Sequence, residues 1–442
     1  MNLALLLVAA CATPPSSASA ADPPADPEAV VVHTTDGPLA GMVVHLSAGH
    51  GRLLAKNSRG EVITWSWQRD ARYGMREDEW TADFVIDHLA PTLEAAGATV
   101  LTLRERDRAD IGASVDDADA GFSVEGTATF APDQLAWGPG AQVLDGTTRA
   151  TWTVPPMPPG TYRVYARWVA GPDRAPDARY TVSGATGRDV WTVDQRVHGG
   201  VWWPLGDVTV TDAIGATIRL DGGGGRLSAD AVRIGGGVAS PGPDFELAPL
   251  HQVAPVHRQP SLGGPVDLLW LEDGVESSDI RFRARWASRV SPPPEEAVFL
   301  SIHTNAGRAH GTEIYAGAET SPPMSTLPAS ATLAAELFRT LDASTRTINP
   351  TWYVEPPKRG DFSEISPKWQ ELPSALLEVG FHDSPADVKW LLREDFRQAF
   401  ADGIRDGLVA WRQAQGGPLV DTGGPELPIR LGNPPADNPS GE

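Results

Sequence analysis

Three apolar runs in this sequence end on side chains that can do chemistry. Met42-Val43-Val44-His45-Leu46-Ser47-Ala48 runs into Gly49-His50-Gly51, Val298 to Ile302 runs into His303-Thr304-Asn305, and Ala375-Leu376-Leu377 runs into Glu378-Val379-Gly380-Phe381. A short apolar run broken by small residues reads as a buried strand entering a tight turn, which leaves its last side chain at the strand's carboxyl end. At His50 the flanking glycines give access to positive φ and leave the imidazole uncrowded, as a metal ligand at a sheet edge requires. Glu378 sits among Ala375, Leu376, Leu377, Val379 and Phe381, where a carboxylate is costly to bury unless a cation, a metal or a hydrogen-bond donor meets it. Each feature alone has a plain reading: a histidine between glycines is a turn residue, and a buried glutamate is half of a structural ion pair. Three buried strands ending in His, His and Glu point instead to one site. A catalytic zinc takes three protein ligands and keeps a fourth position open. His50 and His303 could be two of them.

The elements that must position these residues alternate between strand and helix. Glu77-Asp78-Glu79 opens a stretch with Phe84, Val85, Leu89 and Leu93 at helical spacing, its acidic first turn suits the helix dipole, and Gly97 ends it. Ala98 to Arg104 reads as a β-branched strand. Further on, Asp279–Ser288 carries Phe282 and Trp286 at helical spacing before the Pro292-Pro293-Pro294 break, and Thr332–Leu341 and Asp387–Trp411 read as amphipathic helices. Arg52–Gly74 shows no sustained period and reads as a long loop beside the site. Between these two blocks, from about Gly112, the chain changes to short alternating runs such as Thr161–Trp168, Val190–Val193 and Ala216–Leu220, separated by Gly, Pro and Asp turns. Period-2 strands of that kind predict an antiparallel sandwich. The expected architecture is an α/β catalytic domain, a mixed sheet flanked by helices, with an inserted all-β sandwich domain. A surface loop tolerates such an insertion because domain termini often lie close together. The expected boundaries are a signal peptide over 1–20, a tether over 21–39, the first part of the catalytic domain over 40–111, the insert over 112–238, the second part over 239–415 and a disordered tail over 416–442.

In this order, Gly49-His50-Gly51, Glu77 or Glu79, Ser301-Ile302-His303-Thr304-Asn305 and Glu378-Val379-Gly380-Phe381 resemble the zinc-dependent N-acetylmuramoyl-L-alanine amidases of bacterial cell walls. That family carries a GHG turn, an early glutamate, a strand ending SxHxN and a late ExGF strand. Val100 to Arg104 with Asp107 is similar to its VxLTRxxD strand. The resemblance implies a Zn2+ ion held by His50, Glu77 and His303, with Glu79 as the competing carboxylate. It implies Glu378 as general base and later proton donor to the leaving amine. Asn305 could orient His303 or the substrate, although by itself it is a common strand-ending residue. One departure stands out: the family usually has Asp-Pro before the turn, and this chain has Ser47-Ala48, so the work of that Asp is absent or done by another group. The insert resembles golvesin-type accessory domains in Asp117 to Ser123, Trp202 to Gly206 and Ala229 to Arg233. Its Trp202 and Trp203 could stack on sugar rings, although aromatics in a sandwich are more often core. His45, His88 and His382 take plain readings, on a strand, on a helix and in a loop.

The 442 residues are 41% hydrophobic and carry 36 Lys+Arg against 57 Asp+Glu, a net charge of -21. That balance argues against nucleic acid as a partner, because such binders carry a basic face. Cys11, the single cysteine, follows an apolar run too short to span a bilayer and fits a bacterial lipoprotein signal, while Ala18-Ser19-Ala20 is a competing site for ordinary secretion. Both readings export the protein, to the periplasm or to an outer-membrane lipid anchor at Cys11, which would be its only tie to a membrane. No cysteine follows, so the cores must be stable without internal disulfides. The expected activity is cleavage of the amide between N-acetylmuramic acid and L-alanine in peptidoglycan muropeptides. Two alternatives are a zinc peptidase, for which His310-Gly311-Thr312-Glu313 offers a His-x-x-Glu spacing, and a non-catalytic peptidoglycan-binding protein.

Overall fold

A computed structural model describes residues 30–33, 36–56, 62–104, 106–107, 111–133, 135–184, 187–210, 216–236, 275–291, 296–317, 327–416 and 430–431. Cys11, the Ala18-Ser19-Ala20 site, the Pro292-Pro293-Pro294 break and most of the C-terminal tail lie outside the described residues.

One mixed sheet carries the three runs singled out above. Its strands are β1 (Val43–Ala48), β4 (Thr99–Thr102), β5 (Ala297–Asn305), β6 (Glu313–Gly317), β7 (Lys358–Gly360), β8 (Ser374–Phe381) and β9 (Arg430–Leu431). Their order across the sheet is β9-β7-β6-β8-β5-β1-β4. β4, β1, β5 and β8 run parallel, and β6 runs antiparallel to β8. Parallel strands covered on both faces need mostly apolar sequence, and β1, β5 and β8 are buried at every position; β8 runs on past Glu378 to Phe381, so Glu378 lies within its strand and not at its end. Alternate residues therefore serve two cores. Val44, Leu46, Leu300, Ile302, Leu377 and Val379 pack beneath helices on one face, and Val43, Leu101 and Phe299 pack on the other.

The first face is covered by α1 (Glu77–Asp83), a stretch of π turns over Phe84–Leu89, α2 (Ala90–Ala95), α4 (Leu327–Ile348), α5 (Pro385–Leu391) and α6 (Glu394–Gly416). The second face is covered by α3 (Val275–Val290), which brings Phe282 and Trp286. The segment Arg52–Gly74 is not simply a loop: β2 (Arg52–Lys56) and β3 (Val62–Trp67) form an antiparallel hairpin. The signal was Val62-Ile63-Thr64-Trp65-Ser66-Trp67, a β-branched and aromatic run of high strand propensity hidden between polar flanks. The C-terminal tail contributes β9, which pairs with β7.

Between β4 and α3 the chain forms a separate β-structure. Its first strand, Gly112–Asp116, pairs antiparallel with its last, Ala231–Gly235, with Gly112 opposite Gly235. The chain thus enters and leaves this unit at neighbouring points, which is how it interrupts the larger sheet without displacing it. A four-stranded and a six-stranded sheet enclose a core that includes Trp152, Val164, Trp168, Tyr180, Ile218 and Ile234. The six-stranded sheet gains an edge from the N-terminal segment expected as a tether: Val30–Val32 pairs parallel with Gly187–Val193. His33 follows, stacked on Trp191 and 2.7 Å from Asp189. Trp202 is buried beside Trp137 with the guanidinium groups of Arg167 and Arg233 over its ring, and Trp203 packs into the core, so these indoles serve packing.

The two units share a hydrophobic contact. Val201 joins Val43, Leu101, Phe282 and Trp286 in one cluster, with Trp203 packed against it. Glu94 of α2 adds ion pairs to Arg106, at 2.6 Å, and to Arg163 of the insert, at 2.9 Å.

His45 of β1 lies fully buried in this region, with Nε2 3.0 Å from the Ser291 hydroxyl and its ring edge-on to Trp286. Burial, with the charge of His198 adding to it, lowers its pKa from 6.5 to about 3, so the ring is neutral in the fold. The unfolded chain takes up this proton below its ordinary pKa and the folded chain does not. Stability from this group is therefore complete above pH 6.5 and is lost as pH falls toward 3. Lowering the pH from 7.5 to 5.5 should cost about 1.4 kcal/mol through this residue alone. Urea midpoints at the two pH values should show that difference shrinking in His45→Gln, and an unchanged pH dependence in the variant would rule the explanation out.

Candidate metal centre

β1 ends in a turn held by charged side chains from elsewhere in the chain. His50 and Gly51 adopt positive φ, 56° and 115°. Gly49 is needed for space: a Cβ there would stand 2.6 Å from Nδ1 of His303. Two buried arginines take the carbonyls that the turn leaves without strand partners. Arg283 of α3 donates to the Ala48 carbonyl at 2.7 Å and to the His50 carbonyl, and Arg104 donates to the Gly49 carbonyl at 2.7 Å and to the Asp78 carbonyl. The buried Asp78 carboxylate accepts the amide hydrogens of Gly51, Gln68 and Arg69, which ties the turn to the end of the β2–β3 hairpin.

His50, Glu77 and His303 converge at this end of the sheet. One donor atom from each lies within 4.8 Å of the others. Oε1 of Glu77 is 3.4 Å from Nε2 of His50 and 3.3 Å from Nδ1 of His303, and it accepts the Thr304 amide hydrogen at 2.8 Å. Glu77 is the first residue of α1 and 2% exposed; Glu79 has a 54% exposed side chain and pairs with Arg76. Of the two carboxylates left open by sequence, Glu77 is the one that joins the histidines. Burial opposes its ionisation, and the charges and hydrogen bonds of His50 and His303 outweigh that cost, holding it well below the usual carboxylate range.

Sequence reasoning missed the carboxylate on the other side of His303. Glu364 accepts from Nε2 of His303 at 2.9 Å and from the Ser47 hydroxyl at 3.1 Å, and lies 3.7 Å from Arg283. Burial opposes its ionisation, but the charge and hydrogen bond of His303, with Arg283 behind them, take it down to about 2. In return, against burial, Glu364 and Glu77 push His303 up to about 10. Nothing in Asp361-Phe362-Ser363-Glu364-Ile365 separates this residue from an ordinary loop acid. For Arg283 a signal existed: it shares the helical face of Ala287 and Val290, where a cation among apolar residues asks for a buried partner.

Glu378 faces His303 across β5 and β8 and Glu313 across β8 and β6. It is 6% exposed, and its Oε2 has no hydrogen-bond partner among the described residues. Burial, opposed by the charge of His303 and reinforced by Glu77, Glu313 and Glu364, pushes it up to about 8. Asn305 donates to Glu313 at 2.8 Å, and Glu313 also meets Tyr315 at 2.7 Å and Lys358 at 2.9 Å. His382 comes closer to the site than its loop position suggested, since it contacts Thr304 and lies 3.6 Å from Glu77. His310 does not join Glu313 in a His-x-x-Glu pair; it lies 3.4 Å from Asp387.

The donor set fits a divalent cation of the zinc type. Two imidazoles and one carboxylate are the ligands of many catalytic zinc sites, and here they converge within a buried surplus of carboxylates. The field that loads His303 with a proton would equally favour a cation in its place.

Comparison with known proteins bears on both units. Residues 273–410 match the N-acetylmuramoyl-L-alanine amidase family and residues 140–236 match the golvesin C-terminal domain. Among solved structures, a Paenibacillus xanthan lyase is 32% identical over 28% of this chain and 13% of its own, with a TM-score of 0.27. The catalytic domain of CwlV, an N-acetylmuramoyl-L-alanine amidase from Bacillus (Paenibacillus) polymyxa, is 26% identical over 30% of this chain and 65% of its own, with a TM-score of 0.24. The N-acetylmuramyl-L-alanine amidase Ami1 from Mycobacterium smegmatis is 23% identical over 31% of this chain and 61% of its own, with a TM-score of 0.25. In each case the matched part is less than two thirds of the relative's chain. No curated protein matches. The chain carries a domain of the N-acetylmuramoyl-L-alanine amidase family together with a golvesin C-terminal domain.

Proposed function

We propose that this protein is an exported zinc hydrolase that cleaves the amide between the lactyl group of N-acetylmuramic acid and L-alanine in peptidoglycan. The observation that carries the reading is Glu378: a buried carboxylate with an unpartnered oxygen, directly beside His303 of the His50, Glu77 and His303 set. When bound by those three residues, zinc supplies Lewis acidity to the substrate carbonyl and to water. Glu378 takes a proton from the attacking water as the new C–O bond forms, then delivers it to the nitrogen as the C–N bond breaks, leaving a lactyl carboxylate and the amine of L-alanine. Burial and the neighbouring carboxylates raise the proton affinity of Glu378, and a cation held by His50, Glu77 and His303 would lower it again, toward the range of a group that must both accept and return a proton. Asn305 spends one Nδ2 hydrogen on Glu313 and keeps the other for a substrate carbonyl.

The leader features at Cys11 and Ala18-Ser19-Ala20 support export to the periplasm or to a lipid anchor at the outer membrane. Among the described residues no helix is long and apolar enough to cross a membrane. The insert, taken as residues 112–238, serves as a wall-targeting unit in this reading. Its buried indoles leave other parts of its surface for that contact.

One zinc per chain is expected by elemental analysis, and His303→Ala should empty the site. Glu378→Gln should keep the zinc while turnover of defined muropeptides falls by about two to four orders of magnitude. Near-normal turnover would return Glu378 to a structural role. Replacing residues 112–238 by a short linker should preserve hydrolysis of soluble muropeptides and abolish binding to intact sacculi. Losing Val201 and Trp203 from the shared cluster should also lower the urea stability by about 2–4 kcal/mol. Undiminished sacculus binding by the shortened protein would refute the targeting role.

A further inference from the structure

We infer that Glu364 is the positioning residue for His303, and that it supplies from a distant loop the carboxylate that amidase sequences carry at the position of Ser47. The inference rests on the zinc reading of His50, Glu77 and His303 and extends it to how that set is held.

Both nitrogens of His303 face acceptors. Nδ1 is 3.3 Å from Glu77 and points into the cluster with His50, whereas Nε2 is 2.9 Å from Glu364. A neutral imidazole has one N–H and one lone pair. A carboxylate on Nε2 holds the hydrogen there and leaves the lone pair on Nδ1, aimed at the place where the other two ligands converge. It also makes that lone pair a stronger donor to a metal.

Glu364 is itself held from two sides. The Ser47 hydroxyl donates to Oε1 at 3.1 Å, and Arg283 lies 3.7 Å from the same oxygen. Arg283 contacts the Ser47 hydroxyl at 3.1 Å and also takes the Ala48 and His50 carbonyls. One buried cation therefore connects the turn carrying His50 to the carboxylate orienting His303. Ser47 and Ser301 are paired across β1 and β5, and His303 follows on the same face of β5, so a carboxylate on residue 47 would occupy the region that Glu364 reaches from its loop.

The test is zinc affinity by competition with a chromophoric chelator, together with the absorption spectrum of the Co2+-substituted protein. Wild type must bind one zinc; failure there refutes the metal reading itself, before Glu364 is examined. If wild type binds, Glu364→Gln should lose about 10–100-fold in zinc affinity and shift the Co2+ bands while its thermal unfolding stays cooperative. Ser47→Asp added to Glu364→Gln returns a carboxylate beside Arg283 and should recover most of that affinity. A folded Glu364→Gln with wild-type affinity and spectrum overturns the inference, as does a double variant no better than the single. Should Glu364→Gln not fold, Ser47→Ala deletes only the hydroxyl that steadies Glu364 and should cost about threefold in affinity. Wild-type affinity in that variant counts against the inference.

Discussion

Buried carboxylates repel one another unless positive charge stands among them, and this site gathers three, with a fourth half-buried beside them. Glu77, Glu313, Glu364 and Glu378 reach His303 or its neighbours from α1, from β6, from the segment between β7 and β8, and from β8. In a medium of low effective dielectric, such a cluster is tolerable only with compensation for each member. Glu313 has Lys358, Glu364 has His303 with Arg283 behind it, and Glu77 has the two histidines. Glu378 is left to hold a proton. A divalent cation between His50, Glu77 and His303 would relieve Glu77 and Glu378 together, bringing Glu378 down into the range of a working base. Metal retention and proton transfer would thus both draw on the same charge surplus.

That surplus can persist only if the backbone beneath it is rigid. The strand ends supply rigidity through continuous ladders, but in the GHG turn such a bond reaches the Gly51 carbonyl, from the Gln68 amide, while the Gly49 and His50 carbonyls turn to side chains. Arg104 and Arg283 answer this need from opposite sides. Each donates several hydrogen bonds in a fixed fork, which a lysine could not reproduce with one ammonium group.

The parts legible in sequence were those dictated by local pattern. β1, β5 and β8 are buried along their whole length and mostly apolar, and His50 just past β1, His303 near the end of β5 and Glu378 within β8 stood out against that background. Glu77 was recoverable from helix-start chemistry, although the choice against Glu79 needed the fold. What escaped was set by contacts across the chain: Ser47 meets Glu364 across 317 positions and Arg283 across 236, and no local period encodes either meeting. The β2–β3 hairpin escaped for another reason. Its strands are brief, and their polar flanks mask the alternation. In the insert, period-2 runs announced the sandwich, but pairing of Val30–Val32 with Gly187–Val193 joins segments whose proximity no sequence period could announce.

The insert also shows why a domain with its own core need not be an independent passenger. Its first and last strands lie side by side, so the larger sheet closes as though the chain were continuous. Val201 and Trp203 nevertheless help cover a face of that sheet which α3 leaves incomplete. The cost of separating the units is the exposure of Val43, Leu101, Phe282 and Trp286, and the half-buried Glu94–Arg163 ion pair adds to what fixes their relative placement. The same logic reaches the metal centre. α3 bears Phe282 and Trp286, which pack in the shared cluster, and also Arg283, which holds the turn of His50. Packing between the two units thus bears on the helix that steadies the turn of His50, although among the described residues no hydrogen bond or ion pair runs from the insert to His50 itself.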